Sequence, residues 1–264
     1  MRAIILALVG SLGLLAGCEA TYTTPGEKAD FSKLGLTPEA AAALTDSSLA
    51  ATLAKKPLVT FPASIAVVRV QAPNYTSYSY HNGSPRRGAF SVITLRDIEK
   101  DEDFEAIEKL PRVAGVAGIK SILLREGMNS DLDLRNAAAQ LNANLLLYYT
   151  LETAFDTQTH VAPLGVITLG TFPTEEARVT CTASAVLMDT RNGYVYSVLE
   201  NSAQDNQIAN AWTSAEAMDQ VRKRVERKAF EGLVKGFTKE WSTVLKNYDK
   251  SGVAGGTPYE TNGK

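Results

Sequence analysis

The chain has 264 residues, 45% hydrophobic and 21% charged, an ordinary globular balance in a length that holds one sizeable core or two small ones. Its net charge of −2 excludes a whole-chain basic field of the kind that recruits nucleic acid. Beyond the first residues, no segment is long and apolar enough for a transmembrane helix.

In chain order, Arg2 gives a positive start and Ile4 to Leu15 an apolar run. The run is too short to span a bilayer as a permanent helix and suits the apolar region of a cleaved signal. Leu15-Ala16-Gly17-Cys18 then resembles the bacterial lipobox, which signal peptidase II cuts before the cysteine once lipid is on its sulfur. Residues 1–17 are therefore expected to be a lipoprotein signal peptide and Cys18 the lipidation site, carrying palmitate-class acyl chains. Burial of those chains at about 0.8 kcal/mol per methylene anchors the chain to a membrane. Glu19, where an aspartate would favour the inner membrane, leans toward the outer membrane facing the periplasm. Removal of the first 17 of 264 residues leaves 247. With Cys18 acylated, Cys181 has no disulfide partner.

Residues 18–59 read as lipidated cysteine, flexible tether and short helix: residues 19–35 are polar with Pro25 and Gly26, and Thr37-Pro38-Glu39 opens an alanine-rich helix to about Ala54. A domain is expected over residues 60–248. Ser64–Val70 is a nearly continuous apolar run, as in an inner strand. Residues 72–88 form a long loop or loose hairpin, and Ala89–Leu95 a second strand. Asp101, Glu102, Asp103 and Glu105 open a helix at its positive end. Residues 113–119 are open between strand and loop, and 120–126 read as a short helix. Asn129-Ser130-Asp131 caps a helix to about Leu141, and Leu145–Leu151 is the most apolar strand. In Arg178–Met188, Val179, Cys181, Ala183, Ala185 and Leu187 share one face at period two. Asn192-Gly193 is a hairpin turn returning through Tyr194–Leu199, residues 201–212 are polar and irregular, and Thr213-Ser214-Ala215-Glu216 is a capping box. The helix that follows carries one apolar stripe to about Tyr248, and 249–264 is a glycine-rich disordered tail. The fold class is α/β, a two- or three-layer sandwich with a mixed sheet flanked by helices and a long C-terminal helix.

Four features bear on chemistry. His81 and His160 share no metal-ligand spacing, so no metal and no cofactor is expected. Cys181 lies on a strand without a partner base and reads as a small buried residue. Glu99 to Asp103 lack the alternating ligands and glycine of a calcium loop and read as a solvated helix start. Arg222-Lys223-Arg224 and Arg227-Lys228, beside Glu226, read as a solvated helix face, with anionic headgroups or a subunit interface as the alternative use. Two stretches are candidate sites. Tyr75, Tyr78 and Tyr80 alternate with hydroxyl residues and could stack on glycan or peptide, or simply edge a β-hairpin. Leu164, Val166, Ile167 and Leu169 sit in an apolar run of about ten residues between two strong strands. That length suits a membrane-crossing hairpin strand, a subunit contact, or a hairpin packed on its own domain.

The order of these elements resembles the CsgG-type curli secretion lipoproteins and their wider relatives. The likeness rests on the lipobox and tether, the Ser64–Val70 strand with its long loop, and the junction Leu141-Asn142-Ala143-Asn144 into Leu145–Leu151. It continues through the strand to Met188, the Asp189–Gly193 turn, its return strand and the C-terminal helix. The resemblance implies an α/β sandwich in the bacterial envelope, a homo-oligomeric ring as one use of it, and no catalytic residue. The role expected is a non-catalytic binding or scaffolding lipoprotein of envelope assembly or secretion, not an enzyme, with envelope proteins or peptidoglycan as partners. The alternatives are a ring-forming outer-membrane channel subunit and an envelope glycan or peptide hydrolase, which lacks a nucleophile–base pair.

Overall fold

A computed structural model of the chain describes residues 28–29, 45–73, 75–78, 88–125, 127–159, 175–208 and 215–250. In chain order the elements are α1 (Asp46–Leu53), β1 (Ala63–Gln71), β2 (Ser91–Ile93), α2 (Asp101–Glu108), β3 (Val113–Gly118), α3 (Asp131–Gln140), β4 (Leu145–Thr159), β5 (Glu175–Asp189), β6 (Val195–Ile208) and α4 (Ala215–Tyr248). The strands make one six-stranded mixed sheet in the order β2-β1-β4-β5-β6, with β3 also paired to β1. β1 runs parallel to β3 and β4 and antiparallel to β2, so its outer edge is shared by two short strands end to end.

The sheet is covered on both faces, which makes three layers. Ile65, Val67, Leu147, Leu151 and the period-two set of β5 face α2 and α4. Ala66, Val68, Val70, Leu146, Tyr148 and Met188 face α3 through Leu134, Ala137 and Ala138. A strand with core on both faces has no polar side to show, which is why β1 and the start of β4 are apolar at nearly every position. Asn144 joins the starts of these two strands: its Oδ1 accepts from the Ser64 backbone N–H and hydroxyl, both at 3.1 Å. Asn142 and Gly193 take left-handed φ values of 54° and 69° at the two turns that feed β4 and β6, conformations that asparagine and glycine tolerate best.

Several boundaries depart from the sequence reading. β4 continues to Thr159 and β6 to Ile208, so residues expected to be irregular form ladder against β5 as far as Glu176↔Ile208. The polarity of 201–208 misleads because only its inward positions, Asn201, Ala203 and Asp205, are half-buried, while Ser202, Gln204 and Asn206 face water. Residues 113–118 resolve as a parallel strand, and 121–123 is a single 3-10 turn. A helix, α1, runs from Asp46 behind the capping residue Thr45, and residues 37–44 of the expected helix lie outside the described residues. Lys28 and Ala29, read as tether, are seated where β1 and β4 diverge: Lys28 bridges to Gln71, and the buried Ala29 donates its N–H to the Thr150 hydroxyl at 3.0 Å. Gln71 closes the same split, donating to the Leu151 carbonyl at 3.0 Å and accepting from Thr150 at 2.6 Å.

Candidate functional site

The feature that apolar patterning does not explain lies under the first half of α4. Arg69 occupies the inward period-two position of β1 after Ile65 and Val67, and Arg222 projects from α4 toward it; both are buried, at 2% and 0% exposure. Their guanidiniums share one carboxylate. Arg69 Nη1 donates to Asp97 Oδ1 at 3.0 Å and Arg222 Nη2 to Asp97 Oδ2 at 2.7 Å. Arg222 also donates from Nε to Asp219 at 2.9 Å and from Nη1 to Glu226 Oε2 at 2.6 Å. Arg69 lies 3.6 Å from both Glu99 and Glu226 and donates from Nη2 to the Tyr75 hydroxyl at 2.9 Å. Two hydroxyls complete the set, Tyr149 donating to Glu99 Oε1 at 2.6 Å and Thr153 to Glu226 Oε1 at 2.8 Å. Lys223 closes the margin on Asp219 at 2.9 Å.

Helix and strand periods assemble this cluster. Asp219, Arg222 and Glu226 sit three and four residues apart, one stripe of α4, and the strand period puts Arg69, Tyr149 and Thr153 on the sheet face below it. The groups answer burial differently. Burial pushes the Asp97 carboxyl up, but the flanking guanidiniums of Arg69 and Arg222 outweigh it and hold Asp97 below the usual carboxylate range. Burial raises Glu226, and its two arginine neighbours do not offset the loss of water. Burial also raises Tyr149, with Glu99 beside it adding to the shift. Arg69 and Arg222 stay charged at any working pH: burial opposes their charge, but the carboxylates around them prevail. The Arg69 Nε has no hydrogen-bond acceptor among the described residues. A cleft lined by Arg69, Arg96, Glu99, Lys120 and Tyr149 opens where β2 and β3 divide the edge of β1.

The cluster corrects two sequence readings. The basic stretch of α4 is not a uniformly solvated face: Arg222 is fully enclosed, and Arg227 reaches across to the buried Asp103 of α2. Glu99 and Asp103 are likewise inside, while Asp101 and Glu102 stay in water. A third correction concerns the tyrosines. Tyr75 is 2% exposed with its hydroxyl on Arg69, so it presents no surface to a glycan or peptide, whereas Tyr78 is about half exposed. Tyr80, His81 and His160 lie outside the described residues, as do Leu164, Val166, Ile167 and Leu169 and the lipidation site Cys18. Cys181 is enclosed and burial pushes its thiol up to about 12, the opposite of an activated nucleophile. Among the described residues no three His, Cys, Asp or Glu side chains are placed to hold a metal ion, and no helix is long and apolar enough to cross a membrane.

No protein-family model matches the chain, and no curated protein matches it. Among solved structures, it is similar to a DUF330 protein from Xanthomonas campestris at 13% identity and a TM-score of 0.33, covering 71% of this chain and 90% of that one. A minor lipoprotein from Acinetobacter baumannii gives 14% identity and 0.28 over 71% and 94%, and a lipoprotein from Neisseria meningitidis 16% and 0.26 over 64% and 99%. Superpositions with TM-scores this low do not establish a shared fold or a shared role.

Proposed function

We propose that the protein is a lipid-anchored envelope lipoprotein, on the outer membrane and facing the periplasm, that binds or scaffolds partners in envelope assembly or secretion without catalysis. The observation that carries this reading is the apolar run ending in Leu15-Ala16-Gly17-Cys18. The seat of Lys28 and Ala29 on the sheet adds a geometric consequence. Nine residues lie between Cys18 and Lys28, a reach of at most about 35 Å, so an acylated Cys18 holds the split end of β1 and β4 close to the bilayer. The described clusters favour binding over chemistry, since the charged groups under α4 are committed to one another. The test is metabolic labelling with an alkyne fatty acid: the native chain takes label and sediments with membranes, and Cys18→Ala does neither. Labelling that survives the substitution, or a native chain freely soluble without detergent, overturns the reading.

A ring-forming channel subunit remains the second reading, favoured by one observation. β4 and β5 are 15 residues each and pair without interruption to Thr159↔Glu175, the base of the apolar stretch that includes Leu164 and Ile167. Rings that resist detergent and conduct in planar bilayers would establish it, and a monomer without conductance would eliminate it.

A further inference from the structure

The outer edge of β1 is paired to β3 as far as Val67↔Gly118 and to β2 from Arg69↔Ile93, which leaves Val68 paired to neither strand. The cleft at this gap reaches the buried Arg69. Its walls are largely apolar, with Val67, Ile93, Phe104 and Ile119, and Leu95 stands at its mouth, 40% exposed. Apolar walls with a few converging polar groups are the usual form of a small-ligand pocket.

Among the described residues, four charged side chains line the cleft, and the partners of each are known. Glu99 accepts from the Tyr149 hydroxyl at 2.6 Å and lies 3.6 Å from Arg69 Nη1, so its charge is answered inside. Arg69 turns Nη1 to Asp97 and Nη2 to Tyr75, which leaves Nε as a buried donor without an acceptor. Arg96 lies over the Phe104 ring at 4.2 Å and gives Nη1 to the exposed Asp101 at 2.8 Å. Its Nη2 passes Gly118 so closely that a Cβ there would stand 3.1 Å away. Lys120, exposed at the rim, has no carboxylate partner among the described residues.

We infer that this cleft binds a carboxylate carried on an apolar stem. Glu99 and Asp101 answer the charges of Arg69 and Arg96, so Lys120 is the one cation left, and it calls for a single negative charge. The enclosed space is about 30 Å³, room for about two water-sized atoms, which suits the two oxygens of a carboxylate and not the four of a phosphate. The bound oxygens accept from Arg69 Nε and Arg96 Nη2 beneath the Lys120 ammonium, in charge-assisted hydrogen bonds, and the stem lies along Leu95. An acceptor for Arg69 Nε also removes the cost of a buried donor left unpaired. The site is built from the sheet edge alone, so it stands whether or not Cys18 carries lipid.

Hexanoate titrated into the full-length chain in a nonionic detergent, followed by backbone amide shifts in heteronuclear NMR spectra, tests this. Saturable shifts are expected at residues 94–96 and 118–120, with a Kd of about 1 mM. Hexanamide, the same stem without the charge, is expected to bind at least about tenfold more weakly. Lys120→Gln is expected to weaken hexanoate about fivefold, the scale of one exposed ion pair. Gly118→Ala, whose Cβ displaces only the flexible tip of Arg96, is expected to weaken it by a similar factor. N-acetyl-leucine separates the two sources of such a group: tighter binding than hexanoate assigns the site to a peptide C-terminus, and weaker binding to an aliphatic acid. Hexanoate and hexanamide binding alike, the absence of saturable shifts at 118–120, or native affinity in both variants overturns the site.

Discussion

The two halves of α4 rest on the same sheet and are held by different physics. Beyond Gly232, Leu233, Val234, Phe237, Trp241 and Val244 enter a continuous apolar core, with Trp241 donating its indole N–H to the Pro111 carbonyl at 2.8 Å. Before Gly232, Val221, Val225 and Ala229 share the interface with Asp219, Arg222 and Glu226, all buried. The apolar half gains by removing surface from water and is indifferent to its neighbours' exact chemistry. The charged half gains little net free energy, because desolvating the ions opposes their attraction, but it tolerates only one arrangement of partners. The comparison teaches that a helix can be made adherent by one end and conditional by the other.

The largest expected effects come from breaking each half. Arg222→Ala leaves Asp97, Asp219 and Glu226 buried without their shared cation and is expected to cost about 3–5 kcal/mol in urea unfolding. Trp241→Ala, which leaves a cavity between α4 and the α2–β3 turn, is expected to cost a similar 3–5 kcal/mol. The two should part company with pH: the Trp241 loss stays constant from mildly acidic to neutral conditions, and the Arg222 loss does not. A pH-independent Arg222→Ala loss would mean that the cluster is merely a packing unit.

Asp97 sharpens the same contrast. Its folded value lies below the ordinary 3.8, so its contribution is in full force above 3.8 and disappears as pH falls through the lower folded value. Glu226 has the opposite sign, its contribution present below 4.5 and lost as pH rises. Asp97→Asn is therefore expected to destabilise at neutral pH and to flatten the acid limb of the stability curve. A variant with an undiminished acid limb would place the titration elsewhere.

How much of this was legible in the sequence depends on the same division. Strands whose apolar residues repeat at period two or run unbroken, β1, β4 and β5, could be placed, and the inward set of β5 from Val179 to Leu187 is buried throughout. The apolar stripe of α4 was equally visible. The cluster was not, because a helical charge is by default assigned to water, and Asp97 reaches Arg222 from 125 residues away in the chain. One signal was present. Arg69 interrupts an inner strand at a core-facing position, and a cation there requires buried carboxylates from elsewhere. Asp219, Arg222 and Glu226, spaced to alternate in sign along one stripe of α4, were the natural suppliers.

Gly232 marks the boundary between the halves, and a smaller effect is expected from filling it. A Cβ there would collide with the Asn201 amide, which donates to the Ala229 carbonyl at 3.1 Å and ties β6 to α4. Gly232→Ala gains about 1 kcal/mol of helix propensity and loses more through the displaced amide, for a net destabilisation of about 1–2 kcal/mol. Gly236→Ala meets only Leu199, at ordinary contact distance, and is expected to be neutral or stabilising. Equal effects at the two glycines in thermal melts would remove the notion of a boundary.

The smallest expected effect isolates burial from distance. Lys28 Nζ lies 2.7 Å from Glu152 Oε2, the same separation as Arg222 Nη2 from Asp97 Oδ2, but its partners are 51% and 47% exposed rather than 0% and 8%. At equal distance the Coulomb energy scales inversely with the effective dielectric constant, so water around Lys28 reduces both the attraction and the cost of losing it. Lys28→Ala is expected to change stability by at most about 0.5 kcal/mol, and that small change should vanish in high salt. A larger, salt-resistant loss would show that Lys28 acts through the seating of Ala29 between β1 and β4 rather than through its charge. The chain emerging from Cys18 would then be a structural part of the sheet, and anchorage and fold would have to be tested together.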